Sequence, residues 1–228
     1  MPARSLEAQP APTVNAGRRT FLKFSALAGV AAGLSASPLA SQFLAAAKAA
    51  TVDLVQDTFS GLIAFVVPGP DQYSVAQGVS TAVPGGIDTQ ILEVLIQTID
   101  ESAPYLPTFS AVAAGILNQF AQAVHPNVSG PFSSPFACLS FAEKAAVFQF
   151  MDATPSLASF SGVLAGIVAF LCYSDAGSFD PATRTLTSTP LAWSLSNYSG
   201  TADGRAELRG YWLGRTHADG AHLSRGED

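Results

Sequence analysis

Between Val52 and Tyr173 apolar side chains recur every three or four residues, in blocks that proline or a capping sequence cuts apart. This alternation of stripe and stop confines the chain to a set of packed helices. The first stripe is Val52, Val55, Phe59, Leu62, Ile63 and Val66, and Pro68-Gly69-Pro70 ends it. The second helix is predicted over Ile87 to Glu101, with Asp88 in its first turn, where the backbone dipole favours an acid, and Pro104 and Pro107 beyond its end. A third spans Phe109 to Val124 and stops before His125-Pro126. Ser140-Phe141-Ala142-Glu143 has the form of a capping box and opens a fourth helix carrying Val147, Phe148 and Met151 on one face. Leu157 to Tyr173 is a fifth, apolar nearly all round and therefore expected at the centre, with close packing accounting for Gly162 and Gly166. Its apolar stretch falls short of the roughly 20 residues a membrane span requires.

The fold expected from these blocks is all-α: an irregular bundle of about five helices with a long Pro/Gly loop from Gly69 to Gly86. After Ser174 the chain turns polar, and Arg184 to Thr187 and Ala192 to Leu195 are the only runs that alternate, enough for at most a short hairpin. One helical domain with an irregular C-terminal wrap is therefore expected over residues 50–215, followed by a polar tail over 216–228. With 228 residues, of which 48% are hydrophobic and 12% charged, the composition suits one packed core and argues against disorder.

Residues 17 to 23 read Gly17-Arg18-Arg19-Thr20-Phe21-Leu22-Lys23, and a weakly apolar run from Phe24 to Leu34 follows. Paired arginines, Phe-Leu and a lysine before such a run have the order of a twin-arginine signal. Arg18, Arg19, Phe21, Leu22 and Lys23 are its candidate recognition residues, and residues 1–49 are read as the signal peptide. Ala45-Ala46-Ala47 and Ala47-Lys48-Ala49 both offer a cleavage site, so the expected location is the periplasm, the cell envelope or outside the cell. The net charge of −6 makes nucleic acid or an anionic membrane surface an improbable partner. From Thr51 to Thr183 the only basic residue is Lys144, while five of the remaining arginines lie between Arg184 and Arg225, which suggests a basic C-terminal face on an acidic body.

Motifs that carry chemistry are scarce. Cys138 and Cys172 precede the fourth helix and end the fifth, which leaves a disulfide and two buried thiols equally open in an exported protein. The histidines make a poor metal site, because His217, Asp219 and His222 sit in the polar tail and His125 stands alone before a proline. No Gly-x-Ser-x-Gly elbow, phosphate loop, dinucleotide fingerprint or His-Glu-x-x-His helix is present, so no catalytic or metal residue is assigned. Aromatic residues scattered through the loop and the irregular end, Tyr73, Trp193, Tyr198, Tyr211 and Trp212, are the candidate partner-facing anchors.

Together the signal, the Val66-Val67-Pro68-Gly69-Pro70 helix end, the Leu139-Ser140-Phe141-Ala142-Glu143-Lys144 helix start and the segment from Tyr173-Ser174-Asp175 to Trp193-Ser194-Leu195-Ser196-Asn197-Tyr198-Ser199-Gly200 carry a resemblance. The chain resembles the gluconate 2-dehydrogenase subunit 3 family, small twin-arginine-exported companions of large flavin oxidoreductases of the glucose-methanol-choline type. The resemblance implies a non-catalytic accessory subunit that matures and co-exports its partner through the twin-arginine translocase. FAD is then expected in the large subunit and no cofactor in this chain. A different class of function is a stand-alone exported protein that holds an apolar ligand among Phe120, Phe148, Phe150, Phe160 and Phe170. A secreted hydrolase ranks last, since the sequence identifies neither a serine nor an acid partner for His125.

Overall fold

Thr51 caps the first helix, its hydroxyl accepting the Leu54 amide at 3.2 Å, and α1 then runs Val52–Val66. The computed structural model describes residues 50–103 and 108–196. Further along come a short α2 (Gln72–Ala76), α3 (Leu92–Ser102), α4 (Phe109–Val124), α5 (Phe141–Ala153) and α6 (Ala158–Cys172). A two-residue hairpin pairs β1 (Phe179–Asp180) antiparallel with β2 (Thr185–Leu186), and α7 (Leu191–Leu195) follows. The fold is all-α, and none of its described helices is long and apolar enough to cross a membrane.

The helices pack in a cycle, α1 against α4 and α6, α4 against α5, and α5 against α6, with α3 covering α1 and α4. Phe59, Leu62, Leu95, Phe109, Ile116, Val147, Phe160 and Leu164 meet in one continuous core. The most deeply enclosed helices are α1, buried without a break from Thr58 to Ala64, and α4, buried from Phe109 to Asn118. The expectation that the helix after Leu157 lies at the centre is therefore corrected. Only one side of it is buried, through Phe160, Ser161, Leu164, Val168, Leu171 and Cys172, while Gly162 and Gly166 face open space, so close packing does not account for those glycines. Apolar composition alone cannot distinguish a two-sided core helix from one whose second apolar face is exposed.

Two other segments depart from the sequence pattern. The predicted Ile87–Glu101 helix is broken: Ile87–Thr89 makes a single 3-10 turn and Gln90 adopts a left-handed conformation (φ 58°) before α3 starts. The break has local causes, since Asp88 accepts the Gly85 amide at 2.7 Å and the Thr89 hydroxyl donates to the Gly86 carbonyl at 2.6 Å. The Ala192–Leu195 run is helical, begun after Pro190, and the hairpin forms instead between Phe179–Asp180 and Thr185–Leu186. The candidate signal residues Arg18, Arg19, Phe21, Leu22 and Lys23, and the aromatics Tyr198, Tyr211 and Trp212, lie outside the described residues, as do Pro104 and Pro107.

Candidate functional site

The chemistry of the described fold collects in three places, and each begins with an element terminus. The first is the return from the loop after α4 into α5. Asn118, on the buried face of α4, donates to Thr58 Oγ1 and to the Ala114 carbonyl, both at 2.9 Å. Its Oδ1 accepts from Ser134 Oγ at 2.7 Å and from the Phe136 amide at 2.9 Å. All four hydrogen-bonding positions of the amide are filled, which pins the segment before α5 to α1 and α4. Beside it Asp57 accepts the Ser133 amide at 2.6 Å and the Tyr73 hydroxyl at 2.7 Å.

The second place is the start of α5. Ser140 and Glu143 form the capping box foreseen in the sequence, the carboxylate accepting the Ser140 amide at 2.9 Å and the hydroxyl at 2.7 Å. His125, at the end of α4, adds a contact the sequence did not reveal, with Nδ1 2.8 Å from Glu143 Oε1. The Ser140 hydrogen bonds hold the Glu143 carboxyl below the usual carboxylate range. His125 therefore does have an acid partner, 18 residues away along the chain. In a hydrolytic triad the imidazole lies between nucleophile and acid. Here the carboxylate lies between serine and imidazole, which is the arrangement of a helix cap and not of an activated nucleophile.

The third place is the Pro/Gly loop. Asp71 caps α2 by accepting the Tyr73 and Ser74 amides, both at 2.9 Å, and Ser74 Oγ takes the Gly69 amide at 3.0 Å. Gly69 and Gly85 pass so closely that a Cβ on Gly69 would come within 2.6 Å of the Gly85 nitrogen, and the two ends of the loop are thereby clasped. Lys144, fully buried on α5, reaches under the loop and donates to Gln77 Oε1 at 2.9 Å and to the Gly61 carbonyl at 3.2 Å. Its ammonium also lies 5.6 Å from the centre of the Phe136 ring. Burial pushes Lys144 down to about 8, against the opposing pull of Asp71. The Gln77 side chain in turn donates to the Ala64 carbonyl at 2.9 Å, and its backbone carbonyl accepts the Phe141 amide.

The predicted anchors divide accordingly. Tyr73 is half-buried, stacked on Phe132 at 4.2 Å, and burial together with the Asp57 bond pushes its hydroxyl up to about 12. It ties α2 to α1, a role the scatter of aromatics did not suggest. Trp193 is half-buried on α7. Cys138 and Cys172 are free thiols in separate surroundings: Cys138 lies against Gly130 and the Phe132 carbonyl, Cys172 against Gly86. Burial pushes the Cys172 thiol up to about 11. Among the aromatics considered for an apolar ligand, Phe160 packs edge-on to Phe109 and Phe148 lies between Phe65 and Phe136, whereas Phe150 and Phe170 are about half exposed. Phe120 and Phe148, partly buried, pack against the core that contains Phe160. Among the described residues no three His, Cys, Asp or Glu side chains are grouped for a metal ion. No family model, curated protein or solved structure matches the chain.

Proposed function

We propose that this chain is the non-catalytic small subunit of a flavin oxidoreductase, which it binds, helps to mature and co-exports through the twin-arginine pathway. One observation carries the reading: a twin-arginine segment built around Arg18 and Arg19 precedes a helical body in which the chemically distinctive side chains serve as caps and ties. Folded cargo is what such a signal serves, and a body of this kind is suited to holding a partner that lacks one. FAD belongs to the large subunit in this reading, and this chain contributes the export signal and a docking surface. The resemblance to the gluconate 2-dehydrogenase subunit 3 family points the same way.

The test is purification of the tagged full-length protein from its native host, followed by an absorption spectrum of the eluate. A co-eluting larger protein with flavin bands between about 350 and 500 nm is the expected result. A colourless monomer would overturn the reading.

A further inference from the structure

The loop from Pro68 to Gly86 is fastened at several points and displays apolar side chains to solvent. Its ends are clasped at Gly69 and Gly85, Thr81 donates its amide to the Gly69 carbonyl at 3.1 Å, and Gly86 donates to the Val67 carbonyl at 2.8 Å. Compact loops with closed ends are frequent carriers of function. At the outer side of this one, Val75 is 60% and Val83 64% exposed, Val79 is also exposed, and the run from Val79 to Pro84 contains no charge. Phe141, whose amide bonds to Gln77, stands exposed beside it.

Lys144 is a buried charge, costly to desolvate, and two of its contacts lead to the loop and to α1 through Gln77 and Gly61. The effect is to fix the backbone that carries the three valines before any partner arrives, which lowers the ordering cost of association.

The charges around the loop select the occupant. Asp71 stands at its beginning and Asp88 at its end, and among the described residues eleven Asp and Glu stand against Lys144, which is buried, and Arg184. A second copy of this body or an anionic membrane would meet like charge. We infer that the Pro68–Gly86 loop, through Val75, Val79 and Val83, is the docking element for an apolar patch flanked by Lys and Arg on the large flavoprotein. The inference rests on the companion-subunit reading.

The experiment compares the wild-type full-length protein with the double variant Val75→Asp/Val83→Asp and with Leu186→Asp, an exposed position on the hairpin. Each tagged chain is purified from the native host and its flavin absorbance per chain recorded, with thermal unfolding of each chain as the check on folding. The double variant is expected to unfold at the wild-type temperature and to lose flavin at least about tenfold, while Leu186→Asp retains it. Retention by the wild type is expected to fall as salt is raised. A double variant that keeps its flavin overturns the surface assignment while leaving the companion reading intact. Salt-independent wild-type retention overturns the cationic partner, and so does a wild-type dimer that the double variant dissolves. A wild type without flavin overturns both the surface and the reading beneath it.

Discussion

Lys144 gives the fold an unusual dependence on pH. Burial lowers its folded-state value from 10.5 to about 8, so between those values the unfolded chain binds a proton that the folded chain does not. Stability therefore rises as pH rises through that window. Two groups oppose it at higher pH. Burial raises Cys172 from 9.0 to about 11 and Tyr73 from 10.0 to about 12, and each favours the folded state less as pH climbs above its unfolded value. Between pH 7 and 9 the lysine dominates, and the net gain is about 1 kcal/mol once the beginning of the Cys172 titration is subtracted. Urea unfolding of the full-length chain at pH 7, 8 and 9 measures it directly, with a constant m-value showing that the same surface is exposed each time. In Lys144→Met the gain should vanish and the profile should fall slightly towards pH 9. The variant also leaves Gln77 Oε1 without its donor, a loss of roughly 1–3 kcal/mol, whereas the Gly61 carbonyl keeps its place in the α1 ladder. Equal slopes in wild type and variant would refute the argument, since they would mean that Asp71 and the surrounding acceptors stabilise the ammonium as well as water does.

Asn118→Ala removes an amide whose four bonds all lie in the core, and roughly 2–4 kcal/mol of stability should go with it, read as a drop in the urea midpoint. The glycines should separate by their surroundings. A Cβ on Gly61 would meet the Ala137 backbone at 2.8 Å, so Gly61→Ala should cost about 1–3 kcal/mol, whereas Gly166→Ala on the open face of α6 should gain up to about 1 kcal/mol. Ser140→Ala deletes the cap of α5 and should lower stability by about 1 kcal/mol in the same assay.

The helices were legible because their signals are local. Phe109–Val124 follows its apolar stripe to the residue, and the Ser140-x-x-Glu143 spacing specified both a helix start and its hydrogen bonds. What escaped either carries no apolar stripe or depends on contacts between distant segments. Asp71 is an N-cap in plain view, yet the prolines and glycines around it gave no period to continue, so α2 was missed. The break at Gln90 goes with the Asp88–Gly85 and Thr89–Gly86 hydrogen bonds, which an apolar stripe does not register. In the sequence Lys144 stands as an isolated charge, and its burial beneath Gln77 is set by the packing of α5 on the loop, 67 residues back in the chain. The His125–Glu143 contact likewise exists only because α4 ends beside the start of α5.

Export gives the most direct test of the companion-subunit claim. In the native host, Arg18→Lys/Arg19→Lys replaces both arginines of the proposed signal while leaving residues 50–196 unaltered. Cell fractionation followed by flavin fluorescence then locates the proposed large partner. Retention of both chains in the cytoplasm, still bound to one another, is the predicted result. Normal export of the flavoprotein beside a stranded small subunit would contradict the account.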